Sequence, residues 1–241
     1  LAKLNILGIV TNSIVLGSSL LMVLPSDSVV KRSIHEITNV IYKLASWAVW
    51  VVPIGIVGIV YQMTNNANLA LIGQLAAFSG VVIGTTLLHM VIILPSIAWL
   101  GGRINPATLA KKTFRPIVVA LSSSSSAATL PVSFHAANDL GVSSTTASFV
   151  LPLGSTINMD GTALFEGVAA IFLAYLFGLD LNASATVTVF LVAMLASIGA
   201  PGIPSGSMAG MQMVLLAVGI PLEGILILLM VERPLDTIRT S

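Results

Sequence analysis

Between residues 122 and 162 an otherwise apolar chain carries five consecutive serines, Ser122-Ser123-Ser124-Ser125-Ser126, and the segment Asn158-Met159-Asp160-Gly161-Thr162. Hydrophobic residues fill 56% of the 241 positions and charged residues only 8%, with a mean hydropathy of +1.03. That balance lies outside soluble globular domains and points to an integral, all-α membrane protein. An unbroken helix crosses lipid because it satisfies its own backbone groups. Serine, glycine and a carboxylate at membrane depth therefore imply backbone lining a protein-enclosed cavity, as in a secondary transporter with its substrate site in this stretch. The net charge of +1 gives no electrostatic case for nucleic acid. The absence of cysteine excludes a disulfide framework, an iron–sulfur cluster and a Cys-based zinc site.

Residues 5 to 24 are long enough to cross hydrocarbon as one helix, since about 20 residues suffice. A polar loop with Asp27, Lys31 and Arg32 follows. A second span is expected from about 36 to 63, with Trp47, Trp50 and Tyr61, and a third from about 69 to 100. Lys31 and Arg32 precede the second span, Arg103, Lys111, Lys112 and Arg115 follow the third, and the turn at 64 to 68 is uncharged. Two crossings put both basic clusters on one side, which the positive-inside rule makes cytoplasmic.

After Asn105-Pro106 the pattern changes. An apolar arm leads into the serine run, and Thr129-Leu130-Pro131 opens a second arm ending near Asn138-Asp139-Leu140-Gly141. Each arm is too short to span, so a re-entrant hairpin at about 105 to 140, with the serines at its tip, is expected. A span from about 147 to 177, interrupted by Gly154 and NMDGT, comes next. Residues 183 to 217 repeat the arm, break and arm, the break being Gly199-Ala200-Pro201-Gly202-Ile203-Pro204-Ser205-Gly206-Ser207, and a final span begins near Leu222. Hairpin plus polar-centred helix thus occurs twice, with one extra crossing between the copies that would invert them. Paired broken segments of this kind point to a transporter site at the repeat interface.

Three sets of residues carry chemistry. Glu232, Asp236 and Arg239 are spaced i, i+4, i+7 and share one helix face. An unpaired charge at the bilayer centre costs about 2.5 to 3.5 kcal/mol, so that face must look inward, toward another charge, a polar cavity or a charged ligand. Asp160, beside Asn158 and Gly161, suits a hard cation such as sodium, which favours carboxylate and carbonyl oxygens. Glu166 lies six residues on, turned away from Asp160, and as a carboxyl group inside the membrane it suits the carriage of a proton. His35, His89 and His135 have no second ligand at metal spacing and read as structural.

Ser-Ser-Ser-Ala-Ala-Thr-Leu-Pro at 124 to 131, Leu-Pro-Leu-Gly-Ser-Thr-Ile-Asn-Met-Asp-Gly-Thr-Ala-Leu at 151 to 164, Ala-Ser-Ile-Gly-Ala-Pro-Gly-Ile-Pro at 196 to 204 and Asp236-x-x-Arg239-Thr240 resemble the dicarboxylate/amino acid:cation symporter family, the glutamate transporters. The likeness runs the length of the chain, including Val52-Pro53-Ile54-Gly55-Ile56, which is similar to the family's fifth helix. It implies a glutamate-transporter-like fold with two re-entrant hairpins and inverted repeats. Residues 1 to 67 would be scaffold-side helices, the family's fourth and fifth. Residues 68 to 241 would be the moving transport domain: the sixth helix, both hairpins, the seventh helix and the start of the eighth. The family's first three helices would precede Leu1, and further sodium ligands and a substrate-binding asparagine would follow Ser241. The resemblance also implies homotrimers in the cell membrane, with sodium-coupled uptake of acidic amino acids by an elevator motion, and no cofactor beyond sodium as the coupling ion.

By the same likeness Ser125 and Ser126 at the first tip, Thr162, Ile203, Pro204, Ser205, Gly206 and Ser207 at the second tip, and Asp236, Arg239 and Thr240 would hold substrate. Asp236 would meet its amino group and Arg239 its side-chain carboxylate. Gly154, Thr156, Asn158, Met159 and Asp160, with Ser197, Ile198 and Ala200, would serve sodium sites, largely through backbone oxygens. Some prokaryotic members place an arginine at the first tip. Here that position is Ser124 and the arginine is on the last helix, as in the excitatory amino-acid transporters, and Glu166 matches the glutamate thought to carry their proton. The chain departs from the family pattern at Ala127, Pro201 and Glu232-Arg233-Pro234.

Neutral amino acids or C4-dicarboxylates are the alternative substrates. An intramembrane hydrolase would need a base within reach of a serine nucleophile, and no histidine neighbours the serine run closely. A passive channel would have no need of the Asp236 and Arg239 pair.

Overall fold

The break at Asn158 and Met159 organises the described helices. In the computed structural model, which describes residues 6–25, 27–41, 43–44, 47, 69–198, 200, 202 and 205–240, helices account for most of the described residues and no strand occurs among them. Two units separate by contact, Leu1–Pro53 and Ile54–Ser241.

In the first unit α1 (Ile6–Val23) is followed by helix α2 (29–41). Helix α2 begins earlier than the sequence leads one to expect, and Lys31 and Arg32 lie inside it rather than in a loop. Both cations find acceptors that offset the unfavourable N-terminal position, a carbonyl for Lys31 and a carboxylate for Arg32. Lys31 Nζ donates to the Leu24 carbonyl at 2.6 Å, past the last turn of α1. Arg32 pairs with Glu36 one turn on, at 3.2 Å. The remainder of the expected second span, with the Val52 to Ile56 segment and the turn at 64 to 68, lies outside the described residues.

The second unit opens with α3 (Leu69–Leu88), a π-helical turn (His89–Ile93) and α4 (Leu94–Gly102), one continuous rod. Helices α5 (Pro106–Ser123) and α6 (Ser126–Asp139) fold back on each other. Asn105 caps α5, its side chain accepting from Ala107 N, and Ser125 caps α6, accepting from Ala128 N. Helices α7 (Ser144–Ile157) and α8 (Asp160–Leu176) are two halves of one rod, interrupted where Asn158 (ψ 71°) and Met159 (ψ 63°) leave helical geometry. A second pair, α9 (Ala183–Ile198) and α10 (Ser207–Val218), precedes α11 (Gly224–Arg239).

The core is built around α8. Glu166, Ala169, Ala170 and Leu173 recur at helical spacing on its buried side. Against them pack Phe78 and Val82 of α3, Val189 and Ala193 of α9, Met211 and Val214 of α10, and Leu228 and Leu235 of α11. Small residues on α8 let neighbouring helices approach closely. The start of α11 comes so near that a Cβ on Gly224 would lie 2.8 Å from Leu173 Cδ1. The outer surface is also apolar: Phe149, Val150 and Leu153 on α7 and Val187, Phe190, Leu191 and Met194 on α9 are exposed. Two stretches, Ala70–Gly102 and Ser144–Leu176, are long and apolar enough to cross a membrane. An apolar exterior over a partly polar interior is what lipid, rather than water, selects.

Candidate functional site

Helix α11 supplies the charged face. Glu232, Asp236 and Arg239 are 1%, 5% and 8% exposed, so their spacing places all three inside the unit. Arg239 Nη2 lies 2.8 Å from Glu232 Oε1 and 2.8 Å from Asp236 Oδ1, and Nε donates to the same Asp236 oxygen at 3.1 Å. The guanidinium carbon stands 4.2 Å from the Phe165 ring centroid, a cation–π contact. Removing three ionised groups from water is tolerable only with such mutual pairing and added hydrogen bonds. Two carboxylates against one guanidinium leave the cluster formally anionic when all three are ionised, and Arg239 Nη1 is buried without an acceptor.

The connections between α5 and α6 and between α9 and α10, here called the first and second tips, complete the cluster. Ser205, in the left-handed region at φ 61°, donates its N–H to Asp236 Oδ2 at 2.8 Å and its hydroxyl to Glu232 Oε2 at 2.7 Å. Ser207 Oγ accepts from Arg239 Nη2 at 2.6 Å. The second tip is thus bound to α11 by three hydrogen bonds to charged groups, each of the stronger kind. At the first tip Ser124 is left-handed at φ 49°, ending α5 and letting the chain reverse. Its hydroxyl meets that of Thr237 at 3.0 Å. Ser125 Oγ donates to the Gly202 carbonyl at 2.8 Å, and Ala127 N approaches the same oxygen at 3.4 Å. The two tips therefore touch. Gly206 is buried beside Ser205 and Ser207, while Ile203, Pro204 and Pro201 lie outside the described residues.

The α7–α8 break supplies the third side. A helix end leaves the carbonyls of its last turn without intrahelical donors, and the Gly154 carbonyl is met by Asn158 N at 2.9 Å. Thr156 Oγ1 turns back to the Leu153 carbonyl at 2.9 Å, and Thr162 Oγ1 lies 4.0 Å from Met159 Sδ. Asp160 opens α8, where the positive end of the helix dipole favours its carboxylate. Gly161 is required by a close approach: a Cβ there would sit 2.5 Å from the Arg239 carbonyl oxygen. The start of α8 is consequently seated on the end of α11.

A cavity of about 210 Å³ lies between the first tip, the α7–α8 break, the rod carrying His89 and the end of α11, lined among others by Ser126, Asn158, Asp160, Thr162, Arg239 and Thr240. It is smaller than the roughly 300 to 1,000 Å³ typical of drug-sized ligands and suits one small solute. Ser126, Thr162 and Thr240 thereby share the cavity wall with Asn158 and Asp160. Ser197, Ile198 and Ala200 form a separate group at the end of α9, with Ser197 Oγ bonded to the Met194 carbonyl within its own helix at 2.9 Å and Ala200 N to the Ser197 carbonyl at 3.2 Å. Met159 reaches toward that side: a Cβ on Gly202 would lie 3.6 Å from Met159 Cε.

His89, read from sequence as structural, is placed on this site. Its Nε2 lies 3.2 Å from Asp160 Oδ2, and it stands at the first position of the π turn. Such turns insert one residue into a helix and re-aim what precedes them, and they occur frequently at functional sites. Nothing in the local sequence signals the contact, because the partners are 71 positions apart. Glu166 behaves differently from Asp160. It is fully buried, and neither of its oxygens has a hydrogen-bond partner.

Compared with known proteins, residues 1–241 match the family model described as the sodium:dicarboxylate symporter family. The chain is 38% identical over 243 residues to the excitatory amino acid transporter of Caenorhabditis elegans, covering 99% of this chain and 48% of that protein. It is 36% identical over 242 residues to excitatory amino acid transporter 1 of Rattus norvegicus, covering 98% and 44%. Identity to excitatory amino acid transporter 2 of Mus musculus is 37% over 241 residues, covering 99% and 42%. The chain spans about half the length of the curated relatives it matches.

Proposed function

The chain belongs to the sodium:dicarboxylate symporter family, a family of membrane transporters and not of enzymes, and we propose that it forms the substrate- and sodium-binding part of a carrier for acidic amino acids such as L-aspartate and L-glutamate. The observation that carries this reading is the convergence of both hairpin tips and the α11 charged face beside one small cavity that also holds Asp160. In this reading α5–α6 and α9–α10 are re-entrant hairpins, related with their following helices as inverted repeats. Residues 1 to 67 belong to the scaffold of a homotrimer in the cell membrane, and 68 to 241 form the domain that moves through the bilayer.

Substrate enters when the second tip lifts from α11. Asp236, released from Ser205, receives the substrate amino group, and Arg239 exchanges part of its carboxylate contact for the substrate side-chain carboxylate. Ser125, Ser126, Thr162, Thr240 and the second-tip residues 203 to 207 enclose the remainder. Sodium is held by oxygens of Gly154, Thr156, Asn158, Met159 and Asp160 on one side and Ser197, Ile198 and Ala200 on the other, and Glu166 carries a proton. With sodium and substrate bound the tips close, and the loaded domain translates.

The test is uptake of labelled L-aspartate into proteoliposomes containing the full-length protein, with and without an inward sodium gradient. Accumulation against the aspartate gradient only when sodium is present supports the reading. Downhill flux alone, insensitive to sodium, replaces it with a passive pore. Uptake of neutral amino acids or C4-dicarboxylates with no aspartate uptake moves the substrate class.

A smaller effect follows from His89. Groups that orient a metal ligand without touching the ion typically contribute tenfold to hundredfold in affinity. His89→Ala is expected to raise the half-saturating sodium concentration about tenfold while leaving the maximal rate within reach at high sodium. His89→Gln, whose amide can still donate to Asp160, is expected to recover part of the loss. An unchanged sodium dependence in His89→Ala would remove the supporting role.

A further inference from the structure

Glu166 has an unusual host. Both of its oxygens are buried and without partners, and the surface it meets belongs to α10. A Cβ built on Gly210 would overlap Glu166 Oε1 and lie 3.0 Å from its Cδ. The carboxyl thus occupies the volume that any other side chain at 210 would fill. Gly210 lies three positions beyond Ser207, so the two share a face of the first turn of α10. Ser207 holds Arg239 Nη2 at 2.6 Å. One helical turn therefore touches the guanidinium at one end and walls in the Glu166 carboxyl at the other.

Among the described residues, Arg239 supplies the charge that acts on Glu166. The elements packed against α8 are α3, α9, α10 and α11, and the first three contain no titratable residue. On α11, Arg239 exerts its field on Glu166, Glu232 and Asp236 are bonded to Arg239, and Arg233 is exposed. His89 and Asp160 are bonded to each other.

We propose that Gly210 is the positioning residue of Glu166: the missing side chain at 210 houses the carboxyl group, and the first turn of α10 covers it for as long as Ser207 holds Arg239. Proton exchange, in which a Glu166 O–H bond forms as a hydronium O–H bond breaks, or the reverse, then requires the tip to leave Arg239. Substrate entry and proton exchange share one moving part. This inference rests on the reading of Glu166 as the proton carrier, and the experiment separates the two.

Aspartate uptake by the full-length protein in proteoliposomes is measured across pH for the wild type, Glu166→Gln and Gly210→Ala, and thermal midpoints in detergent are measured for Gly210→Ala, Glu166→Ala and the double variant. A methyl group at 210 is expected to expel the carboxyl. Gly210→Ala should then lose the wild-type pH dependence as Glu166→Gln does, and should melt lower than the wild type. In the Glu166→Ala background the same change should leave the midpoint where Glu166→Ala alone puts it, because nothing remains to be displaced. If Gly210→Ala does not assemble, assembly restored by Glu166→Ala supports the proposal equally. A wild-type pH profile in Gly210→Ala beside an altered one in Glu166→Gln overturns the proposal, as does an equal fall in midpoint in both backgrounds. A wild-type profile in Glu166→Gln overturns the proton reading itself, whatever the midpoints show.

Discussion

Arg239→Thr is expected to lower the affinity for aspartate by roughly tenfold to a hundredfold and to move preference toward neutral amino acids. The guanidinium is the only cation in the buried α11 cluster, where it makes four hydrogen bonds. A hydrogen bond to a charged group contributes about 1.5 to 3 kcal/mol, and loss of one such contact to the substrate side chain corresponds to that factor. A neutral substrate would leave Arg239 buried without its new partner, so the wild type discriminates against it, and removing the arginine removes that penalty. Competition of unlabelled serine and alanine against labelled aspartate measures the change. Unchanged aspartate affinity would refute the assigned role. Because removing one partner of a buried ion pair typically costs 3 to 5 kcal/mol, Arg239→Thr also leaves Glu232 and Asp236 facing each other. Glu232→Gln combined with Arg239→Thr relieves that repulsion and keeps the specificity measurement accessible. Arg239→Lys retains charge but not the planar fork, and is expected to fall between the two.

The second large effect is on the cation. Asp160→Asn retains shape and removes charge from the cavity wall between the α7–α8 break and His89. A hard cation loses an anionic oxygen ligand, which costs more than the roughly tenfold to hundredfold attached to a supporting group. The half-saturating sodium concentration should therefore rise further than in His89→Ala, and substrate accumulation should fail at sodium levels that sustain the wild type. Equal sodium dependence in Asp160→Asn and the wild type would place the coupling ion elsewhere.

The fold was legible where length and spacing decide. Helical rods of membrane-spanning length follow from unbroken apolar runs, and the reversals at Ser124 and between α9 and α10 follow from serine, glycine and proline set among apolar neighbours. The inward face of Glu232, Asp236 and Arg239 was legible because helical periodicity and the cost of burying charge leave few alternatives. What escaped the sequence is long-range and depends on register. The start of α2 was misplaced because Lys31 and Arg32 read as loop residues, although a carbonyl past α1 accepts from Lys31 and Glu36 pairs with Arg32 within the helix. Ser205 reaching both carboxylates depends on a left-handed backbone that a serine does not advertise. The meeting of Gly210 with Glu166 is invisible until α8 and α10 are packed together.

The π turn at His89–Ile93 makes this part of the chain sensitive to count as well as to identity. His89 turns inward to Asp160, while Val91, Ile92 and Ile93 face outward, where one aliphatic residue can replace another with little consequence. Outside the turn, deleting a single residue from the α-helical rod would rotate everything beyond by about 100° relative to α3, at 3.6 residues per turn, whereas the wide turn absorbs its own extra residue locally. Asn105, Pro106 and the whole first hairpin would then be presented on a different azimuth from the one that brings Ser124 to Thr237 and Ser125 to Gly202. Along residues 69 to 105 the residue count, more than the choice of outward aliphatic side chains, sets the direction from which Ser124 and Ser125 approach their partners.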